Sequence, residues 1–164
     1  MSIASNLISL KKDIPTDVTL VAVSKNKPNC DLLIAYNAGQ RIFGENKVQE
    51  LEKKYIDLPS DIKWHMIGHL QTNKVKYIAS FISMIQAVDS LKLLKEIDKR
   101  AKQHNRIINC LLQVHIATEN TKFGFEIDEV KNIIKISKKF KNININGLMA
   151  MASFTDNYIQ INSE

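Results

Sequence analysis

The chain has 164 residues, of which 45% are hydrophobic and 24% are charged. These values are typical of a globular protein, and the length suits one domain better than two, so we expect residues 1–164 to form a single domain. The formal net charge of +6 allows an anionic partner. Lysines alternate with acidic residues along the chain, however, which is typical of solvated helix faces and does not favour nucleic-acid binding.

Cysteine usage and hydropathy predict a cytoplasmic protein. Cys30 and Cys110 lie far apart, with no CxxC motif or histidine cluster nearby, so we expect reduced thiols and no metal site. The amino terminus lacks the pattern of a signal peptide. No apolar run approaches the ~20 residues that a bilayer-spanning helix needs, so we expect no membrane partner.

Short β-branched apolar runs alternate with amphipathic helical patterns at near-regular intervals. The predicted strands are 19–24, 41–44, 63–68, 84–88, 108–117 and 145–151. The predicted helices are 29–38, 46–57, 70–80, 90–104 and 126–141. This alternation favours βαβ units and a parallel sheet, with Leu20, Ala22, Val114 and Leu148 expected inside it.

The first predicted turn separates the two architectures that such units can build. The segment "SKNKPN" (24–29) has no glycine, whereas a dinucleotide-binding doubly wound sheet needs a glycine-rich first turn. Unusual polar residues follow several predicted strands, which is where (β/α)₈ TIM barrels carry their functional groups. We therefore predict an α/β fold of the barrel type, with about six of the eight βα units present.

Lys25 follows the first predicted strand directly. A lysine at a barrel mouth can be desolvated, which lowers its pKa and frees a neutral amine for Schiff-base formation. The alternative is a lysine whose stem packs on the protein while its ammonium reaches water. The residues alone favour this second interpretation.

Other polar residues at strand ends also allow two interpretations. Asn46 can face a ligand or cap the helix that follows, where Gln49 would complete a capping box. His65 can face the barrel mouth or be a hydrogen-bonded core histidine, and no glutamate separates it from His69 as a zinc-protease motif requires. His69 lies at the start of the predicted helix 70–80, a natural place for a polar capping group. The polar loop at 115–125 and the methionine-rich segment around Met149 have ordinary loop and core explanations.

Five segments, in order and at matching spacing, resemble the pyridoxal phosphate homeostasis proteins, the YggS/PROSC group. They are "LVAVSKNKP" (20–28), "FGENKVQE" (43–50), "WHMIGHLQTNK" (64–74), "ENTKFGF" (119–125) and "GLMAM" (147–151). The resemblance implies a fold like the amino-terminal barrel of alanine racemase, with pyridoxal 5'-phosphate (PLP) at the strands' carboxyl ends. It implies that Lys25 forms the Schiff base with the cofactor. By the same matching, Asn46, His65, Gly68 and Met149 line the cofactor pocket.

The resemblance further implies intracellular PLP homeostasis, meaning cofactor buffering or delivery to PLP-dependent enzymes without turnover. The family continues through two more βα units, which include a phosphate-binding segment, so we expect a truncated member with weakened cofactor binding and exposed sheet edges. One alternative is a PLP-dependent Schiff-base enzyme such as an amino-acid racemase. Others are a degenerate fragment that has lost cofactor binding, and a basic nucleic-acid-binding protein.

Overall fold

The computed structural model describes residues 2–117 and 123–164. The strands are β1 (Ala22–Val23), β2 (Ile42–Glu45), β3 (Lys63–Met66), β4 (Met84–Val88), β5 (Ile108–Val114) and β6 (Ile143–Ala150). The helices are α1 (Ile3–Asp13), α2 (Asn29–Asn37), α3 (Val48–Asp57), α4 (Val75–Ile78), α5 (Leu91–Gln103), α6 (Ile127–Ser137) and α7 (Tyr158–Ser163). A 3₁₀ turn at Thr72–Lys74 precedes α4.

The described strands form one parallel sheet in the order β1-β2-β3-β4-β5-β6. A helix follows each strand in the chain. A doubly wound sheet contains a point where the strand order reverses, and this sheet has no such reversal. Strands that advance in one direction with helices between them are the arrangement of a (β/α)₈ barrel, so the predicted incomplete barrel fold is confirmed.

All six predicted strands and all five predicted helical regions are present, with shifted ends. β1 pairs over only two residues, and the predicted helix at 70–80 divides into the 3₁₀ turn and the short α4. α1 and α7 were not predicted from the sequence. In α1, the Ser2 and Ser5 side chains each cap the other residue's backbone, and only Leu7 is buried.

Two predicted helix starts have opposite outcomes. α3 begins at Val48 with Lys47 as the N-cap, and no side chain caps it, so the predicted capping box at Asn46 and Gln49 is wrong. The predicted start of α5 is confirmed, because the Ser90 hydroxyl accepts a hydrogen bond from the Leu93 amide at 3.3 Å. Asn46 is therefore available for another role.

The core fills the layer between the sheet and the helices. Its largest fully buried side chains include Trp64 and Phe43, whose rings are 6.0 Å apart in a tilted arrangement. Val114 is buried as predicted, whereas Leu20 and Ala22 are half-buried. The prediction for Leu148 is wrong, since this residue of β6 is 56% exposed. Among the described residues, no strand pairs with the outer edge of β6.

Both cysteines are free thiols, Cys30 exposed and Cys110 buried. Across residues 2–117 and 123–164, no helix combines the length and the apolar character that crossing a membrane requires. The same residues contain no group of three histidine, cysteine or acidic side chains arranged to hold a metal ion.

Candidate cofactor site

A cleft of about 350 Å³ lies at the carboxyl ends of the strands. Its described lining residues are Val23, Lys25, Asn46, Ile67, Gly68, His69, Gln113, Phe123 and Met151. They come from the ends of β1 and β5 and from the segments that follow β1, β2, β3, β5 and β6, so residues distant in the chain meet there. The volume lies within the ~300–1,000 Å³ range of small-molecule sites.

Lys25 enters the cleft from a tight turn that follows β1. The Ser24 amide donates to the Gly44 carbonyl at 2.9 Å, which continues the pairing with β2, and the Lys27 amide donates to the Ser24 carbonyl at 3.0 Å. Asn26 has a φ of 60°, a left-handed conformation that asparagine tolerates better than most residues. Lys25 itself is exposed and has no hydrogen-bond partner among the described residues.

Asn46 and Gly68 form the next part of the wall, where the ends of β2 and β3 meet. A Cβ atom on Gly68 would lie 2.8 Å from the Asn46 carbonyl oxygen and 2.9 Å from its Cα. Backbone atoms at that distance cannot move aside cheaply, so the position requires glycine. The missing side chain lets the two backbone segments approach each other beside Lys25.

The stacked rings of His69 and Phe123 form another part of the cleft wall. Their rings are stacked, with centroids 3.8 Å apart and planes 17° apart. The His69 Nδ1 atom is 2.7 Å from the Asp89 carboxylate, which fixes the ring's orientation. The buried Gln113 amide donates to the Phe123 carbonyl at 2.8 Å and holds the start of this segment against β5.

Two predicted site residues lie outside the described cleft wall. His65 is buried within β3, where its Nδ1 atom is 2.9 Å from the Gln86 amide nitrogen. Burial, and to a smaller extent the charge of Lys63, lowers the pKa of His65 to about 4, so the ring is neutral near pH 7. Met149 is half-buried in β6, paired in register with Gln113. Their contact with a cofactor stays a prediction.

The composition of the wall fits a flat ligand that carries negative charge. Val23, Ile67 and Met151 supply apolar surface that can cover a ring. Asn46 and Gln113 supply amide groups, and Lys25 supplies a cation. No carboxylate is present among the described lining residues, so an anion would meet no direct repulsion there.

Sequence reasoning found Lys25, Asn46 and Gly68 but missed other members of the wall. Val23 could have been found from strand alternation, since it lies two residues before Lys25 and therefore on the same face. Gln113 is a polar residue inside an apolar strand, which is also a readable signal. His69 had been interpreted as a helix-capping group. Residues 118–122 of the polar loop predicted at 115–125 lie outside the described residues.

The family model for the amino-terminal domain of alanine racemase matches residues 1–163. The pyridoxal phosphate homeostasis protein of Haemophilus influenzae is 34% identical over 170 aligned residues, which cover 96% of this chain and 72% of that protein. The protein of the same name from Aquifex aeolicus is 37% identical over 84% of this chain. The chain spans 61% of the length of that relative.

Two solved structures of PipY from Synechococcus elongatus have the same fold. The form without PLP has a TM-score of 0.88 at 36% identity and covers 94% of this chain and 73% of PipY. The form with PLP bound has a TM-score of 0.85 at 34% identity, with 95% and 73% coverage. The fold and the family model define a barrel of the alanine racemase amino-terminal class. Within that class, the chain belongs to the pyridoxal phosphate homeostasis protein family.

Proposed function

We propose that this chain binds PLP in the cleft through Lys25 and holds the cofactor for later release, without turnover of its own. The observation that carries the proposal is the meeting of Lys25, Asn46 and Gly68 in one cleft at the carboxyl ends of the strands. Relatives named for PLP homeostasis, and PipY with PLP bound, support the choice of ligand. Recipients would be PLP-dependent enzymes of the cytoplasm.

Different residues of the wall would bind different parts of the cofactor. PLP supplies an aldehyde that condenses with a lysine amine, with loss of one water molecule. Lys25 supplies that amine. The apolar side chains of Val23, Ile67 and Met151 would cover the ring, and the amides of Asn46 and Gln113 line the same cleft and could bind polar ring substituents.

The proposal takes residues 1–164 as one barrel-type domain. Its support is that the described strands form one sheet and that the buried apolar side chains form one contiguous cluster. Lys25 then follows a strand of a single domain and does not lie at a boundary between two domains.

An amino-acid racemase is the enzyme alternative. Racemases of this fold also use a tyrosine base that a second domain supplies near the active site, and no tyrosine is among the described residues that line this cleft. Incubation of purified protein with PLP and L-alanine should give no D-alanine. Production of D-alanine that is lost in Lys25→Ala would replace cofactor holding by racemisation.

The direct test is titration with PLP, borohydride reduction and peptide mass mapping. We expect the pyridoxyl label on Lys25 at stoichiometric cofactor, and the total label should fall at least about tenfold in Lys25→Ala. Lys27→Ala is the matched control, since Lys27 is exposed two residues away and outside this cleft. Equal labelling of surface lysines and Lys25 would mean that the chain has lost the site.

A further inference from the structure

An ion cluster lies beneath the turn that carries Lys25, on the helix side of the sheet. The Lys54 ammonium on α3 donates to the Ser24 carbonyl oxygen, Glu45 Oε1 and Glu50 Oε1, each at 2.7 Å. An ammonium has three N–H donors, and all three are used. The Ser24 hydroxyl also donates to Glu45 Oε1 at 2.6 Å. These four residues are called the Lys54 clamp below.

The clamp reaches this position because strand residues alternate between the two faces of a sheet. Ser24 and Glu45 are buried and contact Lys54 of α3. Their chain neighbours Lys25 and Asn46 border the cleft. Ser24 and Glu45 are therefore each joined by a peptide bond to a residue of the cleft wall.

Both flanks of Lys25 are held by this cluster. On one side, the Ser24 carbonyl accepts from Lys54. On the other side, the Asn26 amide donates to Glu50 Oε1 at 2.7 Å, and this bond holds Asn26 in its left-handed conformation. The hydrogen bond from Lys54 keeps the pKa of Glu50 below its ordinary value, so the carboxylate is charged at neutral pH.

The burial of the cluster is hard to explain by stability. Glu45 is fully buried, Lys54 nearly so, and Glu45 Oε2 has no hydrogen-bond partner among the described residues. Desolvation offsets most of the attraction in a buried ion pair, and well-packed apolar residues often do as well. Ionic networks of this kind are best attested as devices that fix one arrangement of the chain.

We propose that Lys54 is a positioning residue: through Ser24 and Glu50 it fixes the turn at 24–27 so that the Lys25 amine points into the cleft. The inference rests on the proposed function, because its effect is measured as reaction of Lys25 with PLP. It adds a residue outside the cleft to the machinery of the site.

Three variants test the clamp. Lys54→Met removes the central cation but leaves Glu45 buried without its partner, so it will also lower stability. Glu50→Ala is milder, since the Glu50 side chain is 23% exposed, and it removes only the bond to the Asn26 amide and one bond to Lys54. Arg106→Met is the matched control.

Arg106 donates to the carbonyls of Ala79 and Ile82, each at 2.8 Å. Arg106 precedes β5, and Ala79 and Ile82 precede β4. The contact therefore lies at the amino ends of the strands, away from the cleft. Its loss should lower the melting temperature without affecting the turn that carries Lys25. The control therefore separates loss of stability from loss of position.

The readout is the fraction of pyridoxyl label on Lys25 relative to all lysines, measured well below each variant's melting temperature. We expect that fraction to fall roughly tenfold in Lys54→Met and several-fold in Glu50→Ala, with the Arg106→Met value unchanged. In the cofactor-free protein, Glu50→Ala should also speed hydrogen exchange of the Asn26 amide by roughly tenfold, and Arg106→Met should not.

The outcomes distinguish failure of the proposed PLP binding from failure of the positioning role of Lys54. If wild-type protein shows no preference for Lys25, the proposed function fails and the positioning role fails with it. If wild-type protein labels at Lys25 and Glu50→Ala labels like Arg106→Met, the clamp is structural only and the proposed function stands. Should Lys54→Met fail to fold, Glu50→Ala alone supplies the decision.

Discussion

Leu112 of β5 and Leu148 of β6 are register partners in the parallel sheet, yet Leu112 is fully buried and Leu148 is 56% exposed. The two leucines lie on the same face of adjacent strands. Leu112 has a strand on each side, since it also pairs with Val88 of β4. Leu148 lies on the last strand of the sheet, where the described residues supply a neighbour on one side only.

This pair predicts unequal costs for the same mutation. Leu112→Ala should lower the free energy of unfolding by about 2–5 kcal/mol, because it leaves a cavity in a packed core. Leu148→Ala should cost less than about 1 kcal/mol, because little apolar surface is lost from the interior. Urea unfolding of the two variants and wild type measures both values. Equal costs would show that the protein in solution covers the outer edge of β6.

The same pair shows what the sequence could and could not predict. Strand positions and the parallel order followed from the spacing of apolar runs, and Val114 was correctly predicted to be buried. The exposure of Leu148 could not be predicted from its own strand, because burial depends on which elements cover that face. The close approach of Gly68 to Asn46 could not be predicted for a similar reason, since it is a contact between segments distant in the chain.

At the site, the sequence predicted residues that follow strands but not their partners from helices. Lys25 and Asn46 follow strands, where barrels carry functional groups, and the family resemblance assigned them to the site. Lys54 looks like any lysine on a helix whose sequence is rich in charges. Only the packing of α3 against β2 reveals that its ammonium is buried beneath Ser24. Alternation of charge along a helix therefore does not guarantee that every charge is solvated.

A second prediction concerns the glycine at the cleft wall. Gly68→Ala would place a Cβ atom 2.8 Å from the Asn46 carbonyl oxygen, so the two backbone segments must separate. We expect a loss of roughly 1–3 kcal/mol in stability, the usual range for overpacking, together with weaker labelling of Lys25 by PLP.

Gly147→Ala is the control for this substitution. A Cβ there would meet only the Leu111 Cδ2 atom at 3.7 Å, an ordinary van der Waals contact. Its stability should match or slightly exceed that of wild type, because alanine restricts the unfolded chain. Both variants are compared by thermal unfolding and by the labelling assay. A Gly68→Ala protein with wild-type values in both would mean that the two segments approach less closely in solution.

A third prediction follows from the buried His65. Its pKa is lowered to about 4 in the folded protein, so between about pH 6.5 and pH 4 the unfolded chain binds a proton that the folded chain does not. The free energy of unfolding should therefore fall as the pH falls through that window, by up to about 3 kcal/mol at about 1.4 kcal/mol per pKa unit. Stability from this group is complete above pH 6.5.

His65→Gln separates this contribution from other titrating groups. Glutamine can keep a hydrogen bond with Gln86 but has no proton to gain in this range. Urea unfolding at intervals from pH 7.5 to pH 4 should show a shallower pH dependence in His65→Gln than in wild type. Parallel curves for the two proteins would mean that His65 is protonated in the fold as readily as in the unfolded chain.

The last prediction concerns His69, which the sequence analysis interpreted as a capping residue. Its ring stacks on Phe123 and is oriented by Asp89, so it holds part of the cleft wall in place. His69→Ala removes the stacking partner and the contact with Asp89 together. We expect PLP affinity to fall roughly tenfold, because the cofactor would have to order a wall segment that the stack and the contact with Asp89 already hold in wild type, at a cost of about 1.4 kcal/mol. His104→Ala is the matched control, because His104 is exposed at the end of α5 and outside the cleft. The absorbance change during PLP titration of both variants measures the affinity. If the two affinities are equal, the stack between His69 and Phe123 does not shape the site.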